Sequence, residues 1–347
     1  MSQIIKEYNF TEGLSSIVMC CYNGERFIHR SVGSILAQTY PHIELVFIDD
    51  GSTDNSLELI RTYIPKFESK GYKLTIVHQE NQGQGFAAIT GIEMATGEFL
   101  SYLDVDDYLM PESVAKRVNA LMKCRNANVV RTNAYRVLES DSENCRILVR
   151  SNKEKYPTDI FEGVLMGEIN NYAGTYMVRA NVIHEFYTDR AIPRSKYGQN
   201  LQLLLPCAYK SASVFIDEPL MKYIIQNDSH SNPKSLSAKI DLIQGYMDLR
   251  FEMLNLFDCQ DKKRLIKNIG ISCKKNVLNM ILSYHENDDE KAEKISLFNR
   301  YYEKLRLEKS VNIELRYYNA YLNNLSSRNL YRIVWLLSRI VAKKKNK

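Results

Sequence analysis

The sequence predicts an α/β fold: a Rossmann-like, mixed but mainly parallel sheet followed by a C-terminal helical extension. Three observations predict it. Short apolar runs alternate with segments of helical period through the first third of the chain. Two of those runs end in aspartate-rich turns, Asp49-Asp50-Gly51-Ser52-Thr53-Asp54 and Asp104-Val105-Asp106-Asp107. From about Ser237 onward, apolar residues recur only at helical spacing.

Taken in order, Ser16 to Cys21 is a continuous, mainly apolar run of the kind found in buried parallel strands. Glu25 to Gln38 carries Phe27, Val32, Ile35 and Leu36 near helical period. Ile43 to Ile48 is a second strand, and Thr53 or Asp54 can cap a helix beginning near Ser56. Leu74 to Val77 is a third strand, and Gly83 to Met94 a helix entered through a glycine-containing turn. Phe99 to Leu103 is a fourth strand, and Pro111 opens another helix. Such alternation means βαβ units, whose ligands bind beyond the carboxyl ends of the strands. Both aspartate-rich turns fall there. Beyond residue 126 the texture is less regular. Strands are expected at Val129-Val130, Tyr176 to Val178 and Val214 to Ile216. Helices are expected over Thr158 to Met166 and around Leu201 to Leu205, the latter ending at or soon after Pro206. Leu242, Tyr246, Leu249, Met253 and Leu256 then open a bundle of about four helices.

Composition narrows the class. With 347 residues and 45% hydrophobic content, the chain can bury one large core or two smaller ones. A net charge of +5 gives no argument for nucleic acid. The seven cysteines form no CxxC or zinc-finger spacing and read as reduced thiols of a cytoplasmic protein. The first ten residues lack the order of a signal peptide, and no run of about 18 apolar residues suggests a spanning helix.

The Asp104-Val105-Asp106-Asp107 cluster asks for a cation. Mg²⁺ and Mn²⁺ prefer carboxylate oxygens and leave positions open for phosphate and water. Two aspartates one residue apart, Asp104 and Asp106, can face one ion from a strand-end loop. The plainer reading is a solvated, helix-capping turn.

Together the motifs SIVMCCYNGERFIHRSVGSILAQTYPHIELVFIDDGSTDNS, NQGQGFAAITGIEMATGEF and LDVDDYLMP resemble the family 2 glycosyltransferases with the GT-A (nucleotide-diphospho-sugar transferase) fold. The resemblance is strong over residues 14–125, weaker to about 232, and absent beyond. It implies a nucleotide-sugar-binding half over 1–125, an acceptor-binding half over 126–235 and a separate helical bundle over 236–347. It also implies transfer of a sugar from a nucleotide diphosphate donor, most simply a UDP-sugar, to a glycan or lipid-linked acceptor. Mn²⁺ or Mg²⁺ is the expected cofactor, inversion the expected stereochemistry, and bacterial surface-polysaccharide assembly the expected setting.

Residue by residue, the resemblance makes Asp106 the direct metal ligand and turns Asp104 toward the ribose or donor sugar, as a second metal-site candidate. Asp50 is assigned to the base, while Cys21, Tyr22 and Glu25 line the nucleotide and Gly83 allows backbone approach. His230, in the loop after a Pro-Leu-x-x-Tyr strand, is a third candidate metal ligand, though a lone loop histidine is more often simply solvated.

Two departures stand out. Relatives commonly carry Ala-Arg-Asn where this chain has Ala87-Ala88-Ile89, so a basic contact is missing at Ala88. Relatives also carry Gly-Glu-Asp, ending in the general base, where this chain has Gly198-Gln199-Asn200. A neutral amide cannot take up a proton at physiological pH. Gln199, Asn200 and Asp107 thus stand at catalytic positions with the base itself open among carboxylates such as Glu185, Asp189 and Asp217. A non-catalytic nucleotide-sugar binder is the alternative this raises. A doubly wound dehydrogenase is disfavoured by the single glycine after the first strand.

At helical period the segment 329–341 would align Leu330, Val334, Leu337 and Val341 on one face, and Ala-Lys-Lys-Lys-Asn-Lys follows. It suits either peripheral contact with the inner face of an anionic membrane or a bundle helix with a solvated end. The C-terminal helices equally suit homodimer formation or acceptor grip.

Overall fold

The structure is a computed structural model that describes residues 10–157, 159–195, 197–226 and 235–283. The first strand, β1 (Thr11–Cys21), leads through α1 (Glu25–Leu36) to β2 (Ile43–Asp50). The next helical stretch is divided at Tyr63 and Pro65 into α2 (Ser56–Arg61) and α3 (Ile64–Ser69) before β3 (Lys73–Gln79). Then come α4 (Gln84–Met94), β4 (Gly97–Tyr102), a two-residue strand β5 (Tyr108–Leu109) and α5 (Ser113–Lys123). The second half contains β6 (Ala127–Leu138), β7 (Asp141–Ile147), α6 (Asn152–Lys155), α7 (Ile160–Met166), β8 (Tyr176–Arg179), α8 (Ala180–Tyr187), α9 (Asn200–Ala208) and β9 (Ala212–Ile225). Two long helices follow, α10 (Leu236–Asn255) and α11 (Lys262–Ser283).

One sheet runs β3-β2-β1-β4-β8-β6-β9-β5, with β7 paired to β6. The four strands β3, β2, β1 and β4 are all parallel. At β8 the direction reverses, since β8 is antiparallel to both β4 and β6, and β6 then runs parallel to β9. This is the mixed, Rossmann-like sheet expected. All eight residues of β2 are buried, as a strand covered on both faces must be. Ile17, Met19, Leu45, Phe47 and Phe99 have no exposed surface. Each such side chain contributes about 1.5–3 kcal/mol of burial free energy.

Several local expectations shift. The strands at Val129-Val130 and Val214 to Ile216 are parts of the long partners β6 and β9, whose polar positions hide their length. Helix α9, by contrast, ends at Ala208, soon after Pro206 as expected. Strand β7, outermost and rich in polar residues, carries no apolar run to find.

The described residues fall into two compact units, one within 1–231 together with 245–266, the other within 232–244 together with 267–347. In the second, Leu236, Ile240, Ile269, Cys273 and Val277 are buried. His230 and the basic stripe at 329–347 lie outside the described residues. Among the described residues no helix is long and apolar enough to cross a membrane.

Candidate active site

The acidic turn grows directly from the end of β4. The Leu103 N–H donates to the Val18 carbonyl at 3.0 Å, extending the β1 pairing one residue beyond the strand. The Asp107 N–H then closes a turn onto the Asp104 carbonyl at 3.1 Å. Three carboxylates are thereby gathered at the carboxyl edge of the sheet.

Each has a different environment. Asp104 Oδ1 accepts from the Gln84 side-chain amide at 3.0 Å and from the Gln199 amide at 2.7 Å. Burial, then the neighbouring Asp106 charge, push its carboxyl up to about 7. Asp106 Oδ2 accepts from the Gln226 amide at 2.7 Å, and burial raises its carboxyl too. Arg26 donates to Gln226 Oε1 at 2.7 Å, and Arg30 donates to the Asp106 carbonyl at 2.6 Å. Asp107 turns inward and is 1% exposed. Its Oδ1 accepts the Ile224 N–H at 2.8 Å, tying the turn to β9 instead of capping α5, while Oδ2 is buried without a hydrogen-bond partner among the described residues. Burial and the charges of Asp106 and Asp104 hold it well above the usual carboxylate range.

The Asp104 shift has a consequence for stability. The folded chain holds that proton up to about pH 7, whereas the unfolded chain releases it near the ordinary value of 3.8. The contribution is therefore fully present below about pH 4, is lost as pH rises to about 7, and stays lost above. Asp104→Asn retains the acceptor oxygen and cannot titrate. In EDTA the variant should melt with the wild type at pH 4 and above it at pH 8, by about 1 kcal/mol or more. Equal melting at pH 8 would contradict this electrostatic account.

On the other side of the turn, Asp50 is 3% exposed and accepts three hydrogen bonds. The donors are the Gln79 amide at 2.7 Å, the Gln82 N–H at 3.1 Å and the Gly83 N–H at 2.8 Å. Asp50 thus shapes the 79–83 loop and keeps one lone pair for a further donor. Asp49 Oδ2 pairs with His78 Nδ1 at 2.6 Å.

The loop after β1 is zipped to the loop after β2. Asn23 Oδ1 accepts from the Thr53 N–H at 2.8 Å, and the Asn23 N–H donates to the Ser52 hydroxyl at 3.0 Å. Glu25 receives the Asn55 N–H at 3.2 Å and gives its own N–H to Asp54 at 3.0 Å. Tyr22 projects from this floor and is 44% exposed, while Cys21 beneath it is 2% exposed. Burial pushes the Cys21 thiol up to about 11, against hydrogen bonds with Ser56 and Gly24. Burial raises the Cys20 thiol as well, with Asp104 and Asp50 both adding to the shift.

Gln199 reaches Asp104 because a loop crosses the N-terminus of α4 at close range. A Cβ built on Gly85 would stand 1.9 Å from the Ser195 carbonyl oxygen. Gly85→Ala should therefore displace the 193–199 loop and separate Gln199 from Asp104. The expected result is a loss of about 1–3 kcal/mol in urea unfolding, together with weaker nucleotide binding. Unchanged stability would mean that the loop yields freely.

Asn200 is brought beside Gln199, but its Oδ1 accepts the hydroxyl of the fully buried Tyr176. Neither amide can serve as a base. Asp217 is held by Lys155 at 2.5 Å and by Asn133 at 2.9 Å, the lysine hydrogen bond lowering its pKa. Glu185 sits against Asn181 on α8. Among the described residues, Glu185, Asp189 and Asp217 share no hydrogen-bond partner with Asp104 or Asp106.

Sequence reasoning missed Gln84, Gln226, Arg26, Arg30 and Arg194. Arg26 and Arg30, spaced four apart with Ser34, share one row of an amphipathic helix that also carries Glu25, His29 and Ser31, so the sequence does not single them out. Ser34 accepts the Leu109 N–H at 3.1 Å. At the missing-arginine position, Ala88 is 1% exposed. Arg194 instead lies with its guanidinium 5.9 Å from the Phe86 ring centre on the same helix.

The donor set fits a hard divalent ion sparingly. Among the described residues no group of three His, Cys, Asp or Glu side chains converges on one point. The repelling Asp104/Asp106 pair offers oxygen ligands of the type Mg²⁺ and Mn²⁺ use when phosphate and water complete the shell.

Residues 16–186 match the family model described as glycosyl transferase family 2. A curated glycosyltransferase of Haemophilus influenzae, itself uncharacterized, is 34% identical over 145 residues, which is 42% of this chain and 56% of the relative. GlyG, a glycosyltransferase of Streptococcus pneumoniae, is 35% identical over 129 residues, 37% of this chain and 41% of the relative. The chain spans about half the length of the first curated relatives it matches. Among solved structures, S. aureus TarS 1-349 in complex with UDP-GlcNAc aligns with a TM-score of 0.62 at 18% identity, covering 94% of this chain and 91% of that one. The mannosyltransferase PcManGT of Pyrobaculum calidifontis, in complex with GDP-Man and Mn²⁺, gives 0.51 at 13% identity over 94% and 91%. These likenesses bear out the fold expected from the sequence.

Proposed function

The chain belongs to glycosyl transferase family 2, and from that premise we propose that it transfers a sugar from a nucleoside diphosphate donor to a glycan or lipid-linked acceptor. The single observation that carries the reading is the acidic turn at the end of β4, set beside an Asp50-organised loop at the end of β2. A base bound against Asp50 and Tyr22 has its diphosphate directed toward Asp104 and Asp106.

In this reading Asp104 and Asp106 hold Mn²⁺ or Mg²⁺, with His230 a further candidate ligand. The bound ion supplies positive charge to the departing diphosphate oxygens. Arg194 takes over the basic contact missing at Ala88, and Gln199 orients Asp104 as a positioning residue. A UDP-sugar is the donor we favour, because TarS binds UDP-GlcNAc. Direct displacement with inversion is the chemistry we favour. The acceptor-binding half over 126–235, the membrane-facing tail and a role in surface-polysaccharide assembly belong to the same proposal.

Thermal denaturation against UDP, GDP, UDP-GlcNAc and GDP-Man, each with and without Mn²⁺, tests it. Ligand at a hundredfold excess over Kd stabilises by about 2.7 kcal/mol, a shift of several degrees. One nucleotide should produce that shift only with Mn²⁺; indifference to every nucleotide would sink the proposal. Arg194→Ala should weaken the same binding about tenfold, as expected for one charge-assisted hydrogen bond. The amides at Gln199 and Asn200 favour a second reading, donor binding without turnover. It predicts the same thermal shift with no release of nucleoside diphosphate under any acceptor condition.

A further inference from the structure

The acidic turn has an aromatic neighbour on the side away from Asp50. Tyr172 and Tyr223 are stacked with ring centres 4.6 Å apart and planes 17° from parallel. Tyr172 is 42% exposed, although a ring of that size normally finds cover. Three contacts bring this pair to the acidic turn. The Gly174 N–H donates to the Tyr102 carbonyl at 2.6 Å, two residues before Asp104. Gly174 lies so close to Leu103 and Met221 that a Cβ there would stand 3.2 Å from Leu103 Cδ1 and 2.7 Å from Met221 Sδ. Tyr223 adjoins Ile224, whose N–H is bound by Asp107. The phenol of Tyr223 also feels the charges of Asp107, Asp104 and Asp106, which add to the effect of burial in raising its pKa.

The sheet order puts the stack and Asp50 on opposite sides of the turn. Asp50 ends β2, the acidic turn follows β4, and Tyr223 lies on β9 beyond β8 and β6. A donor reaching from Asp50 to the acidic turn leaves its transferable sugar pointing toward the far side. A flat, half-exposed ring backed by a second ring presents an apolar face with little entropy left to lose. Ring C–H groups of a pyranose pack on such a face through the same quadrupole that favours aromatic pairs. We propose that Tyr172, braced by Tyr223, is the platform on which an acceptor saccharide lays the apolar face of its terminal ring. This deepens the transferase reading and rests on it.

Saturation-transfer NMR on the full chain tests the platform, using methyl β-glycosides of glucose, galactose and N-acetylglucosamine as probes. Spectra are taken with saturating UDP and Mn²⁺ and again without them. At least one glycoside should receive saturation at its ring protons. Tyr172→Ala should weaken that binding ~5–10-fold, the scale of one aromatic contact, and Tyr172→Phe should restore it. UDP affinity should be unchanged in both variants, which also shows that they are folded. Equal glycoside binding by Tyr172→Ala, or no transfer to any probe by a wild type that binds UDP, overturns the platform and leaves the transferase reading standing. A wild type that binds no nucleotide overturns the transferase reading, and the glycoside spectra without nucleotide then judge the platform alone.

Discussion

Asp106→Ala is expected to lower kcat/KM for donor consumption about 10³-fold or more while leaving the fold intact. A divalent ion on the leaving diphosphate is worth several kcal/mol in the transition state. Each 1.36 kcal/mol is a factor of ten in rate. Of the three aspartates, Asp106 is the one whose loss should separate catalysis from folding. Among the described residues its side chain accepts from Gln226 and from its own backbone N–H, while its backbone carbonyl accepts from Arg30, a bond that alanine keeps. The folding cost is therefore about 1 kcal/mol. Asp107 behaves oppositely, since its carboxylate is buried and pairs with β9. The checks are nucleoside diphosphate release as a function of Mn²⁺ concentration and a urea melt of the same preparation. A variant that keeps its Mn²⁺ dependence and its rate would remove Asp106 from the proposed site. A variant that unfolds would point to Asp106→Asn, which keeps the Gln226 contact in shape and should lose the same activity.

The legible part of this molecule was its parallel half. Buried parallel strands must be apolar on both faces, so β1, β2 and β4 announce themselves as runs such as Ile17 to Cys21 and Ile43 to Ile48. Ligands of such sheets gather where those runs stop, so Asp50, Asp104 and Asp106 stand out in the sequence as candidates. Strands β6 and β9 were seen only as fragments, because polar residues such as Arg131, Asn133 and Asp217 interrupt them. Their partners lie elsewhere along the chain, as when Asn133 binds the Val149 backbone and Asp217. The Gln84–Asp104–Gln199 cluster was equally hidden. Its members lie 20 and 95 residues from Asp104, and an amide donor has no spacing rule. The stack of Tyr172 on Tyr223 is hidden for the same reason, since no periodicity links the two positions.

The largest stability effect should come from a residue with no part in the chemistry. Arg117 of α5 is wholly buried, and its hydrogen-bond partners are oxygens of neutral groups. Its guanidinium donates to the Ser113 carbonyl at 3.1 Å and hydroxyl at 2.9 Å, and to the carbonyls of Gly174 at 3.2 Å and Tyr176 at 3.1 Å. Burial pulls its pKa down to about 10, so it still carries its charge at pH 7. An arginine persists in such a place because its planar fork reaches several oxygens at once. Arg117→Met should cost about 3–5 kcal/mol, since it strands buried carbonyls worth about 1–3 kcal/mol each. Arg117→Lys keeps the charge and loses the fork, so it should recover only part of that loss. The measurement is the urea midpoint at constant m, and a loss below about 1 kcal/mol for Arg117→Met would refute the account. The same bonds link structure to the proposed function. Arg117 grips the Gly174 carbonyl while the Gly174 N–H is bound to Tyr102, so the loop bearing Tyr172 is clamped on both sides of one glycine. Arg117→Lys, if folded, should therefore weaken glycoside binding before it weakens nucleotide binding, because Asp50 and the 79–83 loop do not depend on that clamp.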